Sequence, residues 1–239
     1  MTTRIVILII STFLLFGCNK TVDTYYKNGK IDSSITYLDF KDSIRNGPAK
    51  WYYDNGQLEM EVDYLNGYEN GVRKSYYPNG QLHEIFIFKD GIAIGLRELW
   101  YENGQKMEET EYSNDVTNGK HNAWHTNGTK MQEAYYKNGK LHGLSKAWHN
   151  NGFIETIGKY INGESDSTWI SWYPNGNKNT SCFYKNTKRQ GLFTAWYENG
   201  QIDTQGEYTN GIETGIWKFW TANGILEYEG EFKNYPNKK

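Results

Sequence analysis

Trp51-Tyr52-Tyr53-Asp54-Asn55-Gly56-Gln57-Leu58 decides the fold, because its Asn-Gly pair returns at a fixed interval. Asn79, Asn103, Asn127, Asn151, Asn175, Asn199 and Asn223 are each followed by Gly, and every step is 24 residues. A constant period of this size marks one supersecondary unit copied in tandem. Three residues before each Asn stand Tyr52, Tyr76, Trp100, Trp124, Trp148, Trp172, Trp196 and Trp220. Nine residues after it stand Tyr64, Phe88, Tyr112, Tyr136, Tyr160, Tyr184, Tyr208 and Phe232. Eleven after it is Asn or Asp, usually followed by Gly. Two aromatic-bearing segments alternating with two turns read as strand, turn, strand, turn.

Pro78 and Pro174 directly precede the Asn of their copies. Pro at the second position of a type I turn, followed by Gly in the left-handed region, gives a three-residue hairpin loop with a bulge. Such a loop pairs Trp196 with Ile202 and Tyr76 with Leu82. Simple alternation then puts the aromatic nine after Asn on the same face as the one three before it. The residue seven after Asn is usually small (Thr110, Ala134, Gly158, Cys182, Gly206, Gly230), which leaves room for rings. No stretch keeps a helical apolar period, and Gly recurs about every dozen residues. The expected fold is all-β: tandem 24-residue β-hairpin repeats forming an elongated, twisted antiparallel meander or solenoid-like array.

Residues 40–234 hold the array, and 235–239 form a polar tail expected to be disordered. Asn28-Gly29 is a further turn, 27 residues before Asn55, so this copy has three extra residues. The reading places them near Ser33-Ser34, with register restored by Phe40, Asp42 and Gly47. Residues 1–17 read as a targeting segment, with Arg4 followed by an apolar run over Ile5–Phe16 too short to span a bilayer comfortably. Leu15-Phe16-Gly17-Cys18 resembles the bacterial lipobox, which implies cleavage before Cys18 and lipidation of its thiol. Residues 18–39 are then a lipidated N-terminus and partial repeat. An ordinary signal peptide and an uncleaved anchor are the alternatives. The expectation is an exported lipoprotein of the cell envelope, held to a membrane by its acyl chains.

The turn segments carry a family resemblance. Tyr76-Tyr77-Pro78-Asn79-Gly80-Gln81-Leu82, Trp196-Tyr197-Glu198-Asn199-Gly200-Gln201-Ile202, Gly215-Ile216-Trp217-Lys218-Phe219-Trp220 and the opening stretch resemble MORN-type repeats (membrane occupation and recognition nexus). The likeness is strongest to the bacterial variant found in YwqK-like antitoxin proteins. It implies a non-enzymatic protein that binds and neutralises a cognate toxin.

The residues themselves point away from catalysis. His125 and His149 replace Tyr in the slot two before Asn and read as ring fillers. His121, His125, His142 and His149 fall in two consecutive copies, with a weak metal patch as the sharper alternative. Cys182 reads as a small side chain in the small slot, and no phosphate loop, Cys-His cluster or nucleophile elbow is present. No catalytic, cofactor-binding or metal-binding residue is therefore expected. Net charge is −2 without long like-charge runs, so nothing calls for a nucleic-acid partner. The leading function is a membrane-tethered repeat scaffold binding a protein partner. The alternative is a cell-wall or polysaccharide-binding array, since Trp100, Trp124, Trp148, Trp172, Trp196 and Trp220 form a ladder suited to an extended polymer if exposed, or a core if not.

Overall fold

The computed structural model describes residues 19–38 and 44–234. Cys18, the rest of the targeting segment and the 235–239 tail lie outside the described residues. The chain divides into two compact units, Met1–Thr117 and Asn118–Lys239. The first contains β1 (Lys20–Tyr25), β2 (Ile31–Tyr37), β3 (Arg45–Tyr52), β4 (Leu58–Leu65), β5 (Tyr68–Glu69), β6 (Gly71–Tyr76), β7 (Leu82–Lys89), β8 (Ile92–Trp100) and β9 (Lys106–Ser113). The chain passes through β10 (Val116–Trp124) into the second. That unit continues with β11 (Lys130–Lys137), β12 (Lys140–Leu141), β13 (Gly143–Trp148), β14 (Ile154–Ile161), β15 (Glu164–Trp172) and β16 (Lys178–Lys185). It ends with β17 (Lys188–Trp196), β18 (Ile202–Thr209), β19 (Ile212–Trp220), β20 (Leu226–Glu231) and a 3-10 turn, Phe232–Asn234. Within each unit the strands pair antiparallel in sequence order, with β5 and β6 both paired to β4 and β12 and β13 both paired to β11, which is the expected hairpin meander.

The Asn-Gly pairs close three-residue loops. In the first full copy Gly56 N–H donates to the Tyr53 carbonyl at 2.8 Å, and Tyr53 N–H donates to the Gln57 carbonyl at 2.8 Å. Gly56 has φ +89°, a region open to glycine at little cost. Tyr76 pairs with Leu82 and Trp196 with Ile202, as the loop length requires. From the copy of Asn55 to that of Asn199 the second turn is a two-residue type I′ hairpin with both φ angles positive, as with +51° at Asn66 and +89° at Gly67.

One expectation fails, for a local reason. Tyr52 pairs with Leu58, but the next pair is Trp51 with Met60, so Glu59 is an extra residue. The same skip follows each three-residue loop, as between Ala195 and Trp196. A bulge of this kind reverses alternation on the strand that carries it. Tyr64 pairs with Gly47 and shares a face with Ala49 and Trp51, whereas Tyr52 points to the opposite face. The aromatics three before and nine after Asn therefore line opposite faces rather than one ladder.

The three extra residues of the first copy are also not at Ser33-Ser34. Ser33 pairs with Trp51 and Ile35 with Ala49, in the register of later copies. Leu38 N–H donates to the Ile44 carbonyl at 2.9 Å, so the additional residues fall between those two. Tyr37, opposite Arg45, occupies the slot assigned to Phe40; Phe40 and Asp42 lie outside the described residues.

Most buried side chains lie on the face that bears the aromatic nine after Asn. In the second unit Cys182, Tyr208 and Trp217 form the centre, with Tyr184, Phe193, Phe219 and Phe232 packed against it. Tyr208 meets Trp217 edge-on at 5.2 Å and 90°. The indoles of Trp169 and Trp217 lie over Gly158 and Gly206, where a Cβ would fall 1.9 and 2.1 Å from ring atoms. The small slot thus makes room for a ring six before the next Asn. Phe232 folds back to 5.0 Å from Trp217 and closes the end of this ring row.

Candidate functional site

Each three-residue turn is tied to the next copy. Asn55 Oδ1 accepts from Gln57 N–H at 2.8 Å, while its Nδ2 donates to the Pro78 carbonyl at 2.9 Å. Asn151, Asn175 and Asn199 repeat the outward bond to Pro174, Glu198 and Ala222. A second tie comes from the slot two before Asn. Tyr53 donates its hydroxyl to the Tyr76 carbonyl at 2.7 Å, Tyr77 to Trp100 at 2.8 Å, and Tyr197 to Trp220 at 2.7 Å. His125 and His149 make the same contact through Nε2, to Trp148 at 2.9 Å and Trp172 at 2.8 Å. Both imidazoles therefore do the work of a tyrosine. Among the described residues no three His, Cys, Asp or Glu side chains converge on a metal-sized site.

The candidate ladder, Trp100, Trp124, Trp148, Trp172, Trp196 and Trp220, ends the strands entering these turns, on the face opposite the core rings. All six are half-buried. Several indoles carry a cation: Lys106 Nζ stands 5.7 Å from the Trp100 ring centre, Lys130 5.6 Å from Trp148, and Lys178 5.6 Å from Trp196. Lys106 also bonds Glu98 at 2.6 Å and Glu109 at 3.1 Å. Burial opposes its charge, yet the two carboxylates prevail and raise its pKa. Glu133 is held below the usual carboxylate range by its bond from Lys130. Trp100 and Trp148 thus each stand beside a lysine held in an ion pair.

Four residues before the tryptophans, on the same face, stand apolar side chains that water reaches. Leu144, Leu192 and Ile216 are 52, 56 and 53 % exposed. Phe183, paired with Thr168 on this face, is also exposed. The sequence reading missed these positions; the slot is apolar at Val72, Leu96, Leu144, Leu192 and Ile216, and that recurrence was the available signal.

The first unit buries charge on its core face. Glu84, 8 % exposed, accepts from Arg73 at 3.1 Å and from Arg97 at 2.7 Å. Arg73 and Arg97 also sit over the Phe86 ring. Burial works most strongly against the Arg97 charge, but its bond to Glu84 and the negative charges around it together outweigh this and raise its pKa. This paired cluster, in which Arg73 Nε alone is buried without a partner, fills space that rings fill in the second unit.

The MORN repeat variant model matches residues 22–39, 45–66, 69–90, 94–114, 117–138, 166–186, 189–210 and 213–234, most of the chain. The chain belongs to the MORN repeat variant family. The copy between residues 138 and 166 falls outside the matched segments, yet β13 and β14 keep the turn and register of the matched copies. MORN repeats are in general protein- or membrane-binding elements of a non-catalytic type. A comparison with curated proteins finds no match. Among the described residues no helix is long and apolar enough to cross a membrane.

Proposed function

We propose that this MORN repeat variant protein is a non-catalytic scaffold, held to a membrane of the cell envelope through lipidated Cys18, whose tryptophan-bearing face docks a protein partner. The supporting observation is the exposed row of Leu144, Leu192 and Ile216 beside the tryptophans. Aliphatic side chains left in water on one face favour a partner with an apolar surface of its own. A sugar polymer would instead stack on open indole faces, and three of these already carry a lysine. Toxin neutralisation, implied by the likeness to YwqK-like antitoxins, is the form of partner binding we favour. It requires the toxin to be met outside the cytoplasm or before export.

The test is affinity capture from native membranes. Full-length protein should retain one partner, encoded beside it if the antitoxin form is right. The triple variant Leu144→Lys, Leu192→Lys, Ile216→Lys should retain less than about a tenth as much, while its thermal midpoint stays within a few degrees. Equal capture by the variant would sink the proposed face. Cys18→Ser should move the protein out of the membrane fraction, and unchanged fractionation would dismiss the lipid anchor.

A further inference from the structure

We propose that a groove on the core face of the second unit, lined in part by Arg189, receives an acidic side chain of the protein partner. The groove has a volume of about 220 Å³ and is lined by the rings of Tyr160, Trp169 and Phe193, the hydroxyls of Thr156 and Ser165, and Arg189. This inference rests on the protein-scaffold reading and adds a second contact to it, on the face opposite the tryptophans.

Arg189 is built into place. Its Nε donates to the Tyr184 hydroxyl at 3.2 Å and its Nη1 to the Tyr208 hydroxyl at 2.9 Å. Its guanidinium lies 5.2 Å from the Phe193 ring centre and 5.1 Å from that of Tyr208. Two phenols and two ring faces hold it, yet among the described residues no carboxylate pairs with it. Glu213 acts on Tyr208 instead. Arg73 and Arg97 are different, because both close on Glu84. A half-buried guanidinium with no counter-charge is a standing demand for an anion.

The occupant follows from size and geometry. The volume is below the roughly 300–1,000 Å³ of pockets that enclose small ligands, so it suits a side chain better than a cofactor or polymer unit. One planar guanidinium matches a carboxylate through paired N–H donors, whereas phosphate sites usually gather several cations or backbone N–H groups. The ring walls suit the methylene stem of glutamate. In the slot ten before Asn the adjacent copies carry Ser165 and Glu213; an arginine returns there only at Arg45 in the first unit, which donates to the Tyr64 hydroxyl at 2.9 Å.

The test uses the full chain and capped tripeptides, read by the NMR signal of the Trp169 indole N–H, assigned by its loss in Trp169→Phe. Ala-Glu-Ala should shift that signal saturably at millimolar concentration. Ala-Gln-Ala should bind about tenfold more weakly or not at all, as should Ala-Glu-Ala to Arg189→Gln. Equal binding of the glutamine peptide to wild type overturns the proposal even if Arg189→Gln fails to fold. A phosphoserine peptide binding about tenfold more tightly than Ala-Glu-Ala would overturn the carboxylate assignment. Membrane capture then separates the two readings. A partner retained equally by wild type and a folded Arg189→Gln overturns the groove and leaves the scaffold. Arginine-dependent peptide binding with no protein captured overturns the scaffold alone.

Discussion

Ser167 has φ +80° in a slot where the flanking copies carry Gly143 at +88° and Gly191 at +73°. A non-glycine residue held there is strained by roughly 1–2 kcal/mol, because its Cβ crowds the following carbonyl. Glycine would relieve this but would give the unfolded chain more freedom, worth about 0.4–1 kcal/mol. Ser167→Gly is therefore expected to stabilise the protein by about 0.5–1 kcal/mol in urea unfolding. Gly143→Ala, where the space is open and only the backbone objects, should cost about 1 kcal/mol. A destabilised Ser167→Gly would mean that its side chain makes an undescribed compensating contact. At this scale the sequence was a good guide to turns and a poor one to their partners. Pro78 and Pro174 announced the loop type, and Cys182 is the buried small side chain its slot implied, its thiol pKa pushed up by burial. Nothing in an isolated Asn or Tyr announces a bond to a carbonyl 23 residues on, such as Tyr53 to Tyr76.

Strand pairs show where alternation stops being informative. Register near the loop was legible because loop length dictates it, but Glu59 and its equivalents look like any other strand residue. One unmarked bulge moved the tryptophan row to the opposite face from the core rings. The small-slot pattern survived that error, because it records volume rather than direction. Gly206 lies beneath the Trp217 indole, so Gly206→Ala drives a methyl into ring atoms about 2.1 Å away. We expect a loss of about 3 kcal/mol or more, at the upper end of overpacking costs. Trp217→Leu alone should cost a few kcal/mol through the cavity it leaves. The double variant should be markedly less unstable than the sum, by more than about 1 kcal/mol in a denaturation cycle. Simple additivity would show that ring and glycine do not share the space ascribed to them.

At the scale of the chain, tyrosine hydroxyls join several copies to the next, and this fixes a pH limit. The pKa values of Tyr53, Tyr76, Tyr77 and Tyr208 are raised above 10.0, chiefly by burial. A group whose folded pKa exceeds its unfolded one contributes stability below the unfolded value and loses it as pH rises toward the folded value. Thermal stability should therefore hold up to about pH 10 and fall beyond it, with phenolate absorbance rising in step with unfolding. Phenolate formation in a still-folded protein would contradict this. The repeat class was readable at this scale because periodicity is global. The site was not, because arginine departs from the period in that slot only at Arg45 and Arg189, and its meaning depends on which rings and carboxylates stand around it. Private chemistry in a repeated fold resides in such exceptions.

The turn asparagines set a chemical clock. Asn followed by Gly is the dipeptide in which the glycine nitrogen most easily attacks the side-chain amide, closing a succinimide that reopens as aspartate or isoaspartate. In the fold the Gly56 nitrogen is committed to Tyr53 and the Asn55 amide to Pro78, so attacker and leaving group are both restrained. An unfolded copy loses both restraints. Each excursion then risks leaving a carboxylate where an amide had donated to the next copy's carbonyl. Ageing would convert a tie between neighbours into a repulsion and record how often each turn has opened.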